Sequence, residues 1–498
     1  MRPFLAFPAL LLAATLLPAQ EDASPVADEH EAQVFTSQHR ATFNGVELDY
    51  VATAGETILR GDDGEPRAAI FAISYVKHGV ADPSTRPVTF LWNGGPGSSS
   101  VWLHMGIFGP KRVDIPSDAR DDGAPPYPIV DNPGAFLDVS DVVFIDPVGT
   151  GYSRPLGDAE GKDFYGVKQD AESIAQFIRQ WVSDHGRWNS PKFIGGESYG
   201  TTRSAAVIRE LEGGYDDIAV NGILLISAIL DFSIENHAPG NELPSMMHVP
   251  TMAATAKYHG KAGKGVELED FVQQARDFAI GPYATALLKG DALPEDERAT
   301  VRRKLAWFTG LSEEYLEDTD LRPQPGRFQK ELLRDEGLTV GRLDSRYTGV
   351  DLDEAGARTD ADPSFYGIDG AYASALNAYM HGELGVRMDR NYNIIGGLGA
   401  PWDWKVPGVP FNYFNLAPWI GTAQRQNKHM QVYVAAGYYD FATPFFAAEY
   451  SLNRAGAVPE RIHFRYYEAG HMMYAHHPSL HAMQRDVRDF IVDTLRTD

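Results

Sequence analysis

Three residues in this chain have the types and the order needed for acyl transfer. Gly196-Glu197-Ser198-Tyr199-Gly200 has the small-x-Ser-x-small spacing of a nucleophile elbow. A serine hydroxyl is a weak nucleophile. It needs a base to take its proton, and the base needs an acid to orient it. Asp440 stands in Gly437-Tyr438-Tyr439-Asp440-Phe441-Ala442-Thr443-Pro444, and His471 in Glu468-Ala469-Gly470-His471-Met472-Met473. Read singly, these are a glycine-rich turn, a turn-forming Asp and a surface His. Read together, in the order Ser, Asp, His, they favour a triad. Glu468 is a rival acid, but it lies in the histidine's own loop. His476 and His477 lack the carboxylate or thiolate company of a metal site.

Acyl transfer also needs donors for the oxyanion. Asn93-Gly94-Gly95-Pro96-Gly97-Ser98-Ser99-Ser100 has glycines that let backbone N–H groups approach a substrate oxygen without an intervening Cβ. A phosphate-cradling loop would require Lys-Ser or Lys-Thr after the glycines, and neither follows. His104 lies near this loop and is placed to line a pocket.

These residues must be held by strands and helices. Residues 42–43, 46–50 and 69–76 read as strands, with a hairpin turn over 61–64, which predicts an antiparallel edge. Strands at 88–92, 142–145 and 223–226 then alternate with helical spacing over 173–182 and 201–211. Residues 191–194 form the strand that enters the elbow. This rhythm predicts a mainly parallel sheet covered on both faces. Over 236–392 the rhythm stops, with helix-like runs at 269–279 and 295–308 and an acidic loop around 351–362, as expected of an inserted helical cap. Strands resume at 431–435 and 462–467, each placing Asp440 or His471 just beyond its end. A helix at 480–495 closes the chain. The expected organisation is therefore a signal peptide at 1–19, a loose leader at 20–35, core at 36–235, cap at 236–392 and core again at 393–498.

The net charge of −24 argues against nucleic acid and anionic membrane as partners. Arg2 followed by an apolar run to Ala19 resembles an export signal, too short for a comfortable span, so no stable membrane anchor is expected. The chain has no cysteine, which excludes disulfides, a thiol nucleophile and thiolate metal ligands. The reading is a periplasmic or secreted protein of bacterial type with no metal and no cofactor.

Leu91-Trp92-Asn93-Gly94-Gly95-Pro96-Gly97-Ser98-Ser99-Ser100, Gly196-Glu197-Ser198-Tyr199-Gly200, residues 437–444 and Ala469-Gly470-His471-Met472 together resemble the serine carboxypeptidase family (peptidase family S10). Pro147-Val148-Gly149-Thr150-Gly151-Tyr152-Ser153 is a softer match. The resemblance implies an α/β-hydrolase fold and peptide or protein substrates with a free C-terminus. It makes Ser198 the nucleophile, His471 the base, Asp440 its orienter, and the N–H groups of Gly95 and Tyr199 the oxyanion hole. Asn93 and Glu197 would bind the substrate's terminal carboxylate, Glu197 as a protonated donor favoured in mild acid. Two positions depart from the family pattern. Ser98 stands where a cysteine is common, and Ile107 stands where many members carry a second glutamate. An esterase or acyltransferase of the same fold, or a non-catalytic scaffold retaining it, are the alternative readings.

Overall fold

The computed structural model describes residues 31–214, 217–398, 401–409 and 413–496. The expected signal segment and most of the expected leader lie outside the described residues.

Strands β1 (Val34–Phe43), β2 (Val46–Arg60) and β3 (Pro66–Lys77) form an antiparallel meander. Strand β1 starts two residues inside the segment read as leader, because the exposed and half-buried alternation of the strand already begins at Val34. From β3 the chain enters a parallel array. It comprises β4 (Val88–Trp92), β5 (Asp141–Ile145), β6 (Lys192–Glu197), β7 (Gly222–Ile226), β8 (Gln431–Gly437) and β9 (Ile462–Tyr467). The sheet order is β1-β2-β3-β5-β4-β6-β7-β8-β9. Pairing is antiparallel as far as β3–β5 and parallel from β5 onward. This is the α/β-hydrolase arrangement, a mainly parallel sheet with an antiparallel N-terminal edge.

The period-2 pattern of the inner strands divides two cores. Leu91, Val142, Phe144, Leu224, Ile226, Tyr433 and Ala435 face one side, where the closing helix adds Met483, Val487 and Ile491. Phe90, Trp92, Val143, Ile145, Ile223, Leu225, Val432 and Val434 face the other, against Ile174, Phe177, Ile178, Ala205 and Ile208. The latter belong to helices α1 (Val167–Asp184) and α2 (Tyr199–Leu211). Helix α1 is longer than its sequence signal because Val167 and Ala171 extend the buried stripe by more than a turn.

Between β7 and β8, neighbours in the sheet, the chain makes a long excursion. It holds α3 (Leu243–Tyr258), α4 (Leu268–Phe278), α5 (Glu295–Thr309) and α6 (Asp369–Gly382). Helix α4 runs on into a wider π turn, Ala279–Tyr283, which carries Pro282. A short antiparallel pair, Thr339–Val340 with Thr348–Gly349, also lies here. Two-residue strands are too short to show alternation, so a purely helical pattern was all the sequence could display. Met247, Met252, Phe271, Leu305 and Phe328 of this excursion share a core with Tyr438, Tyr439 and Phe441, which flank Asp440.

Candidate active site

The elbow begins with β6, which runs through Gly195 and Gly196 to Glu197. Ser198 breaks out of the strand with φ 60 and ψ −129, and α2 starts at Tyr199. A non-glycine residue at positive φ is strained, and the turn is tolerated because its neighbours are small. A Cβ on Gly196 would overlap Gly200 O and come within 2.6 Å of Trp92 Nε1, which donates to Gly200 O over 2.8 Å. The side chain of Ser198 is half-buried, open on the carboxyl side of the sheet.

The loop after β4 lies directly on this turn. A Cβ on Gly94 would come within 2.6 Å of Glu197 O and Tyr199 N and 2.9 Å of Ser198 Cβ. Only glycine allows that approach. Gly95 adopts φ 104. Among the described residues neither Gly95 N–H nor Tyr199 N–H is paired with a backbone or side-chain acceptor, so both donors are left available beside Ser198. Asn93 is anchored from several sides. Its Oδ1 accepts from Leu103 N over 3.1 Å, and its carbonyl accepts from Arg203 Nη1 over 2.5 Å. Arg203 of α2 is in turn paired with Asp170 of α1 at 2.6 Å, with both side chains buried.

Asn93 Nδ2 donates to Glu197 Oε1 over 2.9 Å, and the Tyr474 hydroxyl donates to Glu197 Oε2 over 2.7 Å. Glu197 is 3% exposed. Burial pushes its carboxyl up to about 7, against the opposing influence of His471 and of the two donors. Sequence reasoning passed over Tyr474. A tyrosine in a short Met-Met-Tyr-Ala loop carries no periodic signal, and its distance of 277 residues from Glu197 hides the contact.

Asp440 and His471 come together. His471 Nδ1 lies 2.8 Å from Asp440 Oδ2. Asp440 is 0% exposed and His471 5%. Ala442 N and Thr443 N donate to Asp440 Oδ1 at 2.7 and 3.0 Å, and Thr443 Oγ1 donates to Oδ2 at 2.6 Å. Burial disfavours the imidazolium, but the charge and hydrogen bond of Asp440 and the nearby Glu197 outweigh it, and His471 is raised above its ordinary 6.5. The end of β7 links Ser198 and His471: Ser198 N donates to Ile226 O over 3.0 Å, and Ser227 Oγ donates to His471 O over 2.6 Å. No hydrogen bond joins His471 to Ser198 Oγ among the described residues. Catalytic contacts of this kind commonly tighten only when substrate is bound.

The inserted excursion reaches into the same place. Arg342 O accepts from Phe441 N over 3.0 Å, Leu343 O from His471 N over 2.6 Å, and Tyr439 O from Ser345 N over 3.0 Å. The Asp344 carboxylate accepts from Gly470 N over 3.1 Å. Residues 342–345 thus strap the Asp440 loop to the His471 loop. A cavity of about 460 Å³ opens beside this strap, lined by residues that include Glu235, His237, His248, Arg342, Arg358 and Phe441.

His104 does not line the site. It is buried against Phe144 with ring centroids 4.4 Å apart, and its Nε2 lies 2.7 Å from the Tyr75 hydroxyl. Ile107 is fully buried. Among the described residues no hydrogen bond joins Glu468 to His471, whose ring nitrogen is met by Asp440.

A family model described as serine carboxypeptidase matches residues 71–252. That range contains the Asn93 loop and the Ser198 elbow and ends before Asp440 and His471. Over those residues the chain is similar to the serine carboxypeptidase family. Similar proteins include serine carboxypeptidase-like 16 of Arabidopsis thaliana, 25% identical over 168 residues, covering 32% of this chain and 37% of that protein. Pheromone-processing carboxypeptidase KEX1 of Phaeosphaeria nodorum is 34% identical over 140 residues, covering 28% of this chain and 19% of that protein. The chain thus spans less than two fifths of the length of these relatives. They come from a plant and a fungus and lend no support to a bacterial origin. The crystal structure of a prohormone-processing carboxypeptidase from Saccharomyces cerevisiae aligns with a TM-score of 0.55, 14% identity and coverage of 89% and 91% of the two chains. At that identity the likeness is one of fold.

Proposed function

We propose that the protein is a serine-type carboxypeptidase that hydrolyses the last peptide bond of a chain with a free C-terminus. Ser198 Oγ attacks the carbonyl carbon while His471 takes its proton, oriented and stabilised as imidazolium by Asp440. The N–H groups of Gly95 and Tyr199 receive the developing oxyanion. Collapse of the tetrahedral intermediate expels the terminal amino acid, protonated by His471, and leaves an acyl-enzyme on Ser198. Water, deprotonated by His471, attacks this ester and releases the shortened peptide.

The observation that carries this reading over a general esterase is the buried Asn93–Glu197 pair, bonded at 2.9 Å beside the elbow. A neutral glutamic acid and an amide are the donors that a substrate carboxylate accepts, and burial holds Glu197 neutral up to about 7. An esterase or acyltransferase needs the triad but not this pair. Comparing a peptide acid with its C-terminal amide tests the reading: the acid should be cleaved much faster, and equal rates would overturn it.

We read the excursion over 236–392 as a cap on the site, supported by the strap at residues 342–345. The cavity lined by Arg342 and Arg358 would take the side chain preceding the cleaved bond. Export is proposed from the sequence of residues 1–19. No helix among the described residues is long and apolar enough to cross a membrane.

A further inference from the structure

Glu197 can bind a substrate carboxylate only if its own carboxyl is fixed in place. A free carboxyl rotates about its last torsion with two-fold freedom, and Asn93 holds only Oε1. The other oxygen needs a second anchor. The position where a second glutamate would stand is taken by Ile107, whose side chain is apolar and whose carbonyl is occupied by Asn132 Nδ2 at 2.7 Å and Gln484 Nε2 at 3.1 Å. His104, one turn earlier, is bonded to Tyr75. We propose that Tyr474 is the positioning residue of the carboxylate clamp, its hydroxyl holding Glu197 Oε2 so that Asn93, Glu197 and Tyr474 act as one hydrogen-bonded unit.

The packing supports this role. Tyr474 is 2% exposed and enters the loop that carries Ile107 by lying across Gly106, where any Cβ would run into its ring. The same absent Cβ leaves room for the Tyr372 hydroxyl, 3.1 Å from the Cβ position. Tyr474 lies three residues after His471, so one short loop delivers both the base and the anchor of the clamp. The groups that face Glu197 are His471 and Asp440 on one side, Tyr474 and Tyr372 on the other, and the neutral Asn93. A phenol keeps its proton throughout the working range, and burial raises that of Tyr474 well above 10. A second carboxyl would donate only in acid. With tyrosine as the anchor, the clamp titrates with Glu197 alone.

The inference rests on the reading of Asn93 and Glu197 as the clamp, and one set of measurements separates the two. The wild type, Tyr474→Phe and Glu197→Ala are assayed on a peptide acid and on the methyl ester of the same peptide, which presents no carboxylate. Tyr474→Phe keeps the ring that covers Gly106 and removes only the hydroxyl. Loss of a hydrogen bond to an ionisable group predicts that its ratio of kcat/KM for acid over ester falls roughly tenfold, mostly through KM. The pH at which acid turnover declines should also move upward, because a donor to Glu197 is gone. A ratio that falls in Glu197→Ala but is unchanged in Tyr474→Phe overturns the inference alone. Equal loss on both substrates with a lowered Tm also overturns it, since that is the signature of a purely structural tyrosine. A ratio unchanged in Glu197→Ala overturns the clamp itself.

Discussion

His471 Nδ1 and Asp440 Oδ2 lie 2.8 Å apart, and Thr443 Oγ1 sits 2.6 Å from that same oxygen and 3.2 Å from the same nitrogen. The histidine therefore carries its proton on Nδ1 and presents Nε2 as the free base. Asp440→Asn would replace the acceptor with a group that can donate, inverting the tautomer with little change of shape. Turnover of a peptide acid should fall by about 10⁴-fold, and KM should change little. Steady-state kinetics check this.

The pH profile should differ between an acid substrate and its ester. His471 must be neutral to act as a base. It is opposed by burial and raised by Asp440 and Glu197, so both substrates lose turnover as pH falls below its raised value. Only the acid substrate needs protonated Glu197, so only its kcat/KM should fall again above about 7. The same carboxyl is linked to stability. Its folded pKa of about 7 exceeds the ordinary 4.5, so the folded state holds the extra proton and stability falls as pH rises between those values. Denaturation across that window should show a shallower slope in Glu197→Gln.

The strap at residues 342–345 predicts an effect without substrate contact. Asp344 accepts from Gly470 N at 3.1 Å and pairs with Arg346 at 2.6 Å, so it steadies the residue before His471. Asp344→Ala should lower kcat by about tenfold or more with KM nearly unchanged, because misplacing a base weakens the transition state rather than binding. A simultaneous, equal rise in KM would point to a collapsed pocket instead.

Arg342 lines the cavity beside Phe441, together with Arg358. Peptides with Asp or Glu before the cleaved bond should be preferred over those with Lys, and Arg342→Glu should reverse the order. Arg342 also lowers the proton affinity of His471. Removing its charge in Arg342→Ala should shift the acid limb to higher pH, read from kcat/KM on an uncharged ester.

Much of the fold was legible because the inner strands are short apolar runs bounded by turn residues. Val88–Trp92 and Gly222–Ile226 lie fully buried in the parallel sheet, where uninterrupted apolar sequence is what two covered faces require. Ser198, Asp440 and His471 could be singled out because a hydrolase sheet places chemistry just past its strand ends, a position readable along one dimension. The contacts of Tyr474 and Asp344 were not. Each depends on a loop crossing another far along the chain, and neither residue has a spacing that marks it. Local helix ends also shifted: α1 gained Val167 and Ala171 through burial that only the tertiary fold decides. Gly106 is the clearest case. In the sequence it is one more glycine before Ile107; in the structure it is the gap into which the Tyr474 ring fits.

The most direct test of the whole account is release of the C-terminal amino acid from a defined peptide, followed by mass spectrometry, with wild-type protein and Ser198→Ala. Single-residue losses from the free acid, little or none from the amide, and a drop of several orders of magnitude in Ser198→Ala are predicted. Trimming by Ser198→Ala at the wild-type rate, or internal cleavage of the amide as fast as of the acid, would contradict it.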